Sequence, residues 1–346
     1  MRTMSLWRTP LFGFTLLAIT LAGAASLTAA AGKDLTIYFI DVEGGQSTLF
    51  VMPSGQSVLI DTGFPGNNGR DANRIATVAK QAGVSAIDYL LITHYHADHV
   101  GGVPALTALL PIRTFVDHGD TVEKTPAGQK LYDDYMKEVA KGKHLVVKPG
   151  DKLPIPGIDW TIVAAAGNVL AKPLPGAGKA NPVCAGAPLK DPDPTENAQS
   201  TASRIVFGKF RAVDLGDLTW NKEKDLMCPE NKLGAVNVYI VSHHGQDISN
   251  SPALVHALHP AVAIMNNGER KGGMPPAWDV IHASPGLMDI WQLHFSAAGG
   301  KEHNTDEKMI ANIATDGDAG NFLKLVAHAD GHYEVTNPRT GYSRKY

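Results

Sequence analysis

The sequence predicts an α/β fold built in layers, and three observations carry the prediction. Short apolar, β-rich runs alternate with a helical pattern; several of these runs end in a carboxylate or an imidazole; and one ends in a dense cluster, LITHYHADHVGG at 91–102. Layered α/β proteins gather ligands in the loops at strand ends. With 44% hydrophobic and 19% charged residues, the chain can bury a sizeable core, and 346 residues allow one large domain or two ordinary ones. A formal net charge of −3 does not favour a nucleic-acid surface, although it leaves such a substrate open.

In order along the chain, residues 1–31 read as a secretory signal peptide: Arg2 and Arg8 precede an apolar stretch at 11–22, and Ala29-Ala30-Ala31 offers a cleavage site. An exported protein, periplasmic or secreted and free of the membrane once the leader is removed, is the expectation. An uncleaved anchor is the alternative. From residue 35 to 346 a single domain is expected. Runs at 35–41, 46–52 and 57–61 form a β-meander ending in Asp61-Thr62-Gly63. Apolar spacing predicts a helix over 71–82, stopped by Gly83, and then a buried strand over 87–93. A short helix at 103–110, a strand at 113–116, a helix at 129–141 and short strands within 152–164 follow.

Six prolines between 167 and 200 mark an irregular surface excursion flanking the site. A hairpin at 202–207 and 210–215 leads to Gly216-Asp217, and a strand at 236–241 leads to Ser242-His243-His244-Gly245. A helix at 252–258 and a strand at 261–265 come next. The stretch 291–304 reads as a loop with two surface histidines, His294 and His303; the alternative is that one of them approaches the site. Residues 322–328 and 332–336 form a terminal hairpin around Asp330-Gly331. Cys184 and Cys228 either pair across 44 residues in an oxidising compartment or stay as two thiols.

His94, His96, Asp98 and His99 supply four potential ligands within six residues. Alternation along an extended chain points the first three one way, and the turn brings in His99. Imidazole with carboxylate and no thiolate suits zinc, manganese or iron in an open site rather than a closed structural zinc.

Thr93-His94-Tyr95-His96-Ala97-Asp98-His99 resembles the H-x-H-x-D-H signature of the metallo-β-lactamase-fold hydrolases, and Leu59 to Gly63 and Leu215 to Asp217 resemble that superfamily's first and fourth motifs. Within it, Phe39-Ile40-Asp41-Val42, the segment 197–200 (NAQS) and His243-His244-Gly245 are similar to the hydrolase domain of bacterial competence DNA-uptake proteins. The resemblance implies a four-layer αββα sandwich with two divalent ions, most readily zinc, at one edge. It implies His94 and His96 on one ion, Asp98, His99 and His243 on the other, and Asp217 bridging them. Asp61 would hold a ligand histidine by its ring N–H. Asp98 and His244 are the candidate catalytic residues, His244 as proton donor or substrate contact.

Two departures stand out. No third histidine for the first ion sits in a matching motif, although His118 and His144 lie in the right stretch. The usual G-Q-G-D after the first strand is replaced by Glu43-Gly44-Gly45-Gln46-Ser47. Two ions bridged by Asp217 would acidify water toward neutral pH, so hydrolysis of a phosphodiester or related small-molecule ester is expected. β-Lactam or lactone hydrolysis is one alternative, and an exported metal-binding module without catalysis is another.

Overall fold

The computed structural model describes residue 1, residues 34–314, residue 317 and residues 319–346. The expected signal peptide lies outside the described residues. Among those described, no helix is long and apolar enough to cross a membrane.

Two nine-stranded sheets stack face to face. The first runs, in spatial order, Tyr342–Lys345, Tyr333–Asn337, Leu323–Ala327, Leu35–Phe39, Thr48–Val51, Ser57–Ile60, Ile87–Leu91, Ile112–Asp117 and Lys143–Val146. It is antiparallel up to Ser57–Ile60 and parallel beyond, so its later strands release their loops at one common edge. In the second sheet Phe210–Asp214, Val238–Ile240, Val262–Met265, Asp289–His294 and Ile310–Asn312 are likewise parallel neighbours.

Three apolar clusters give the layers. Phe39, Phe50 and Leu325 of the first sheet meet Trp160, Phe210 and Trp291 of the second in a central core. Phe50 and Trp160 touch edge to face across it, with ring centroids 4.9 Å apart. The outer face of the first sheet is covered by the helix Arg70–Gln81, through Ile75, Val78 and Ala79, and by the helix Pro126–Val139, through Tyr135 and Val139. Trp220–Met227, Pro252–Leu258 and Pro275–His282 cover the second sheet. The result is the αββα order that the motifs imply.

The differences from the sequence reading have physical causes. Asp289–His294 is a buried strand rather than a loop carrying surface histidines; Asp289, Gln292 and His294 interrupt the apolar run that would mark it, although all six residues are buried. The helices Trp220–Met227 and Pro275–His282 are only eight residues each, too short for a clear period. The terminal hairpin gains a third strand, Tyr342–Lys345.

The proline-rich stretch lies flat on the second sheet's helices instead of arching free. Cys184 is bonded to Cys228 at the end of Trp220–Met227. Asn181 Nδ2 donates to the carbonyls of Met227 and Ala253, Trp220 Nε1 donates to the Pro188 carbonyl, and Lys190 and Asn221 exchange two hydrogen bonds. The disulfide spans 44 residues, which on loop entropy alone is worth about 4 kcal/mol. Replacing both cysteines with serine should therefore lower the urea-unfolding free energy by about 3–4 kcal/mol relative to the oxidised parent. A loss below about 1 kcal/mol would show that the remaining bonds hold the segment alone.

Candidate metal centre

Four strands deliver polar residues to the same edge. The strand Ser57–Ile60 ends at Asp61, Ile87–Leu91 leads to the histidine cluster, Phe210–Asp214 to Asp217, and Val238–Ile240 to His243 and His244. All of these strands are buried, and the site's backbone is fixed by bonds between loops: Thr62 N donates to the His99 carbonyl, and His243 N to the Gly216 carbonyl.

The carboxylate of Asp217 stands at the centre. Its Oδ2 lies 3.2 Å from His99 Nε2, 3.3 Å from His243 Nε2, 3.5 Å from His244 Nε2 and 3.9 Å from His94 Nε2. Burial alone would raise its pKa; the positive potential of His243, His99 and His244 overrides this and holds it well below the usual carboxylate range. Asp98 behaves in the same way, through His99 and then His244. One oxygen each from Asp98 and Asp217 and one ring nitrogen each from His99 and His244 all fall within 4.8 Å of one another, and all four residues are buried.

This group contains His244, whereas the resemblance implied His243 as the ligand; His243 Nε2 stands 3.3 Å from Asp217 Oδ2, so both imidazoles border the centre. Residues 243 and 244 both sit in the left-handed region, with φ of 51° and 55°. Each such residue costs about 1–3 kcal/mol, and the distortion aims two adjacent imidazoles at one carboxylate. A regular strand end would face them apart. That turn is held by Gly272, whose Cβ would come 2.0 Å from the His244 carbonyl.

Hydrogen bonds settle which ring nitrogen faces inward. His99 Nδ1–H donates to Asp61 Oδ2 at 2.7 Å, and His244 Nδ1–H to the Asn266 carbonyl at 3.1 Å. Thr93 Oγ1 donates to Asp61 at 2.6 Å and so accepts from His94 Nδ1 at 3.1 Å. Ser249 Oγ donates to the Leu218 carbonyl and accepts from His243 Nδ1. Every one of these four imidazoles therefore presents Nε2 to the centre. His99 Nε2 and His244 Nε2 face one another at 3.2 Å, and His94 Nε2 faces His96 Nδ1 at 3.0 Å. The opposed lone pairs of His99 and His244 need a positive charge between them. A proton serves, and burial notwithstanding, Asp217 and Asp98 raise His99 well above its ordinary value. A divalent cation serves better, with carboxylate oxygens already in place. The donor set fits the ions that the sequence implies.

The family model for the metallo-beta-lactamase superfamily matches residues 40–176, the half of the site that contains Asp61 and His94 to His99. The fold is that of the metallo-β-lactamase superfamily. A curated relative, the hydroxyacylglutathione hydrolase of Erwinia tasmaniensis, is 32% identical over 81 residues, covering 23% of this chain and 26% of that protein. The match thus spans about a quarter of the relative's length. Among solved structures, a metallo-β-lactamase motif variant from Cronobacter sakazakii is 15% identical and covers 60% of this chain and 77% of its own, with a TM-score of 0.35. A diiron β-hydroxylase from Streptomyces venezuelae is 16% identical and covers 75% and 48%, with a TM-score of 0.41.

The surrounding residues are also informative. His118 and His144 are committed elsewhere: His118 Nε2 bonds Glu196 Oε2 at 3.0 Å and His144 Nε2 bonds Asp117 Oδ2 at 2.7 Å. Neither is a third histidine for the pair His94 and His96. Several contributing residues were not visible from sequence. Glu196, Ser249 and Asn266 orient the site through the bonds just given, Glu123 lies 3.6 Å from His96 Nε2, and Lys271 is ion-paired with Asp98. No motif marks them, since each arrives from a loop distant in sequence.

The altered loop at 43–47 has a clear task. Gly45 lies against Asp98, where a Cβ would come 2.5 Å from its carbonyl, and Gln46 N donates to that carbonyl. Asp41 anchors the loop through His294 Nε2 at 2.7 Å and Arg74 Nη1 at 2.9 Å. Burial would lower the pKa of His294, but the bond to and charge of Asp41 raise it above 6.5. Burial would raise Asp41, but His294 and then Arg74 bring it below 3.8.

The sign follows. His294 contributes stability that is complete below 6.5 and lost as pH rises through its raised value. Asp41 contributes stability present above 3.8 and lost as pH falls through its lowered value. His294→Gln should thus cost about 2 kcal/mol near pH 5.5, with the deficit shrinking by pH 9. Denaturant melts of both proteins across that range check this; a pH-independent deficit would remove the charge from the explanation.

Proposed function

We propose that this chain is an exported metal-dependent hydrolase that cleaves a phosphodiester or a related phosphate ester. The observation that carries the hydrolase reading is the buried set Asp98, His99, Asp217 and His244, with donor atoms within 4.8 Å. In this reading His94 and His96 hold one ion, Asp98, His99 and His244 the other, and Asp217 lies between them. When bound, such ions supply Lewis acidity and a water acidified toward neutral pH. Zinc is the first choice of ion for this donor set, with manganese or iron as the alternatives.

The chain's own residues would do the rest. Asp61 and the Asn266 carbonyl keep the ligand imidazoles in one tautomer and orientation. His243, pushed by burial down to about 4, presents an unprotonated Nε2 beside Asp217 and is placed to accept a hydrogen bond from the substrate there. A cavity of about 640 Å³, lined by Asn197 and Thr219 with Leu189, Trp220 and Ile248 as apolar walls, opens beside the segment that follows Asp217. It would seat the part of the substrate away from the reacting bond.

The phosphate-ester preference is supported by the competence-type motifs at 39–42, 197–200 and 243–245 and by the Lys271 ammonium at the mouth of the site. Export is supported by the leader-like residues 1–31 and by the disulfide, which belongs in an oxidising compartment. A carbonyl substrate, such as a thioester, lactone or β-lactam, is the second reading. The curated relative, a hydroxyacylglutathione hydrolase, favours it.

The test is metal analysis of the parent and Asp217→Ala, with bis-p-nitrophenyl phosphate, a thioester and a cephalosporin as substrates. We expect the variant to lose at least one equivalent of metal and activity to fall by a factor of at least about 10³. Unchanged metal content would reject the bridging role, and turnover of the carbonyl substrates alone would move the assignment to the second reading. His244→Ala should lose metal, whereas His243→Ala should keep its full complement and lose turnover.

A further inference from the structure

The first ion of the proposed pair lacks an evident third side chain, because His118 and His144 bond to Glu196 and Asp117. The segment that stands in that place is the 3-10 turn Glu196–Gln199, and it is stitched to the site from three directions. Glu196 Oε2 accepts from Tyr95 N, the residue between His94 and His96, at 3.3 Å. Thr201 N donates to the carbonyl of Thr93, the residue before His94, at 2.8 Å. Ser200 Oγ accepts from Asp217 N at 3.2 Å. Asn197 lies inside this stitched turn, only 8% exposed.

Its side chain is unusual in one respect: Oδ1 is buried and has no hydrogen-bond partner. An amide oxygen left so costs about 1–3 kcal/mol; Asn250 Oδ1 accepts from the Tyr239 hydroxyl and Asn267 Oδ1 from His294 N, while Asn266 Oδ1 shares the lack of a partner. A cation would satisfy this oxygen. Carboxamide oxygen is a harder donor than the imidazole that it would replace and suits manganese better than zinc.

We propose that Asn197 Oδ1 is the third side-chain donor beside His94 and His96, in place of a histidine, and that it shifts this position toward manganese and away from zinc. The inference rests on the metal-dependent reading above. It makes the two positions chemically unequal: two imidazoles and an amide oxygen on one side, two imidazoles and the Asp98 carboxylate on the other, with Asp217 common to both.

The experiment uses the metal-free, disulfide-intact protein, its Asn197→Ala variant and its Asn197→His variant. Manganese binding is followed by electron paramagnetic resonance and zinc binding by competition with a chromophoric chelator. In the parent we expect two sites. Asn197→Ala should weaken manganese at one of them by at least tenfold and leave the other unchanged. Asn197→His should tighten zinc at that same site by at least tenfold and weaken manganese.

Melting of the metal-free proteins controls for folding: Asn197→Ala removes no existing hydrogen bond of Oδ1 and should not lower the midpoint. If Asn197→Ala binds both metals within twofold of the parent, the assignment of Asn197 is overturned while the metal-dependent reading stands. If the parent binds neither metal, that reading falls, and this proposal with it.

Discussion

The structure turns on the need to keep Asp217 charged inside the protein. Moving a lone carboxylate out of water costs several kcal/mol even after relaxation. Here four imidazoles lie within 3.9 Å of one oxygen, arriving from two separate strand ends, and the cost is offset by the positive charge that their Nε2 atoms converge to hold. Two sheets with parallel strands facing one edge are a direct way to deliver them. The left-handed turn at His243-His244 and the close glycine contacts at 45 and 272 follow from the same need. Each spends local backbone preference to hold a side chain where the charge requires it.

Orientation matters as much as position. The partners of the inner histidines (Asp61, Thr93, Ser249 and the Asn266 carbonyl) are all placed to receive a ring N–H. That leaves lone pairs converging on a small volume, an arrangement unfavourable without a cation and well prepared for one. The same reasoning separates the two adjacent histidines. His244 is backed by a carbonyl and shares Asp98, whereas His243 is backed by a serine hydroxyl and reaches only Asp217.

Much of this was legible in the sequence, for identifiable reasons. The strands before Asp61, His94 and Asp217 are apolar runs closed by turn residues, so period and composition mark them, and the dense ligand cluster marks the edge that they share. The choice between His243 and His244 was not legible, since it depends on two φ angles that no propensity for histidine predicts. Asp289–His294 was not legible as a strand because Asp289, Gln292 and His294 break its apolar run, and His294 closes on Asp41 from 253 residues away. Glu196, Ser249, Asn266 and Lys271 were silent for a similar reason: each matters through one tertiary contact and belongs to no local pattern.

The central claim is that the converging lone pairs around Asp217 form a two-ion site with His244 on one side and His94 and His96 on the other. Anomalous diffraction at the absorption edge of the loaded metal, on crystals of the intact protein, tests it most directly. The account predicts two peaks that share Asp217, one about 2.1 Å from His244 Nε2 and the other at that distance from His94 Nε2. A single peak bound by His243, or peaks with no contact to Asp217, would contradict it.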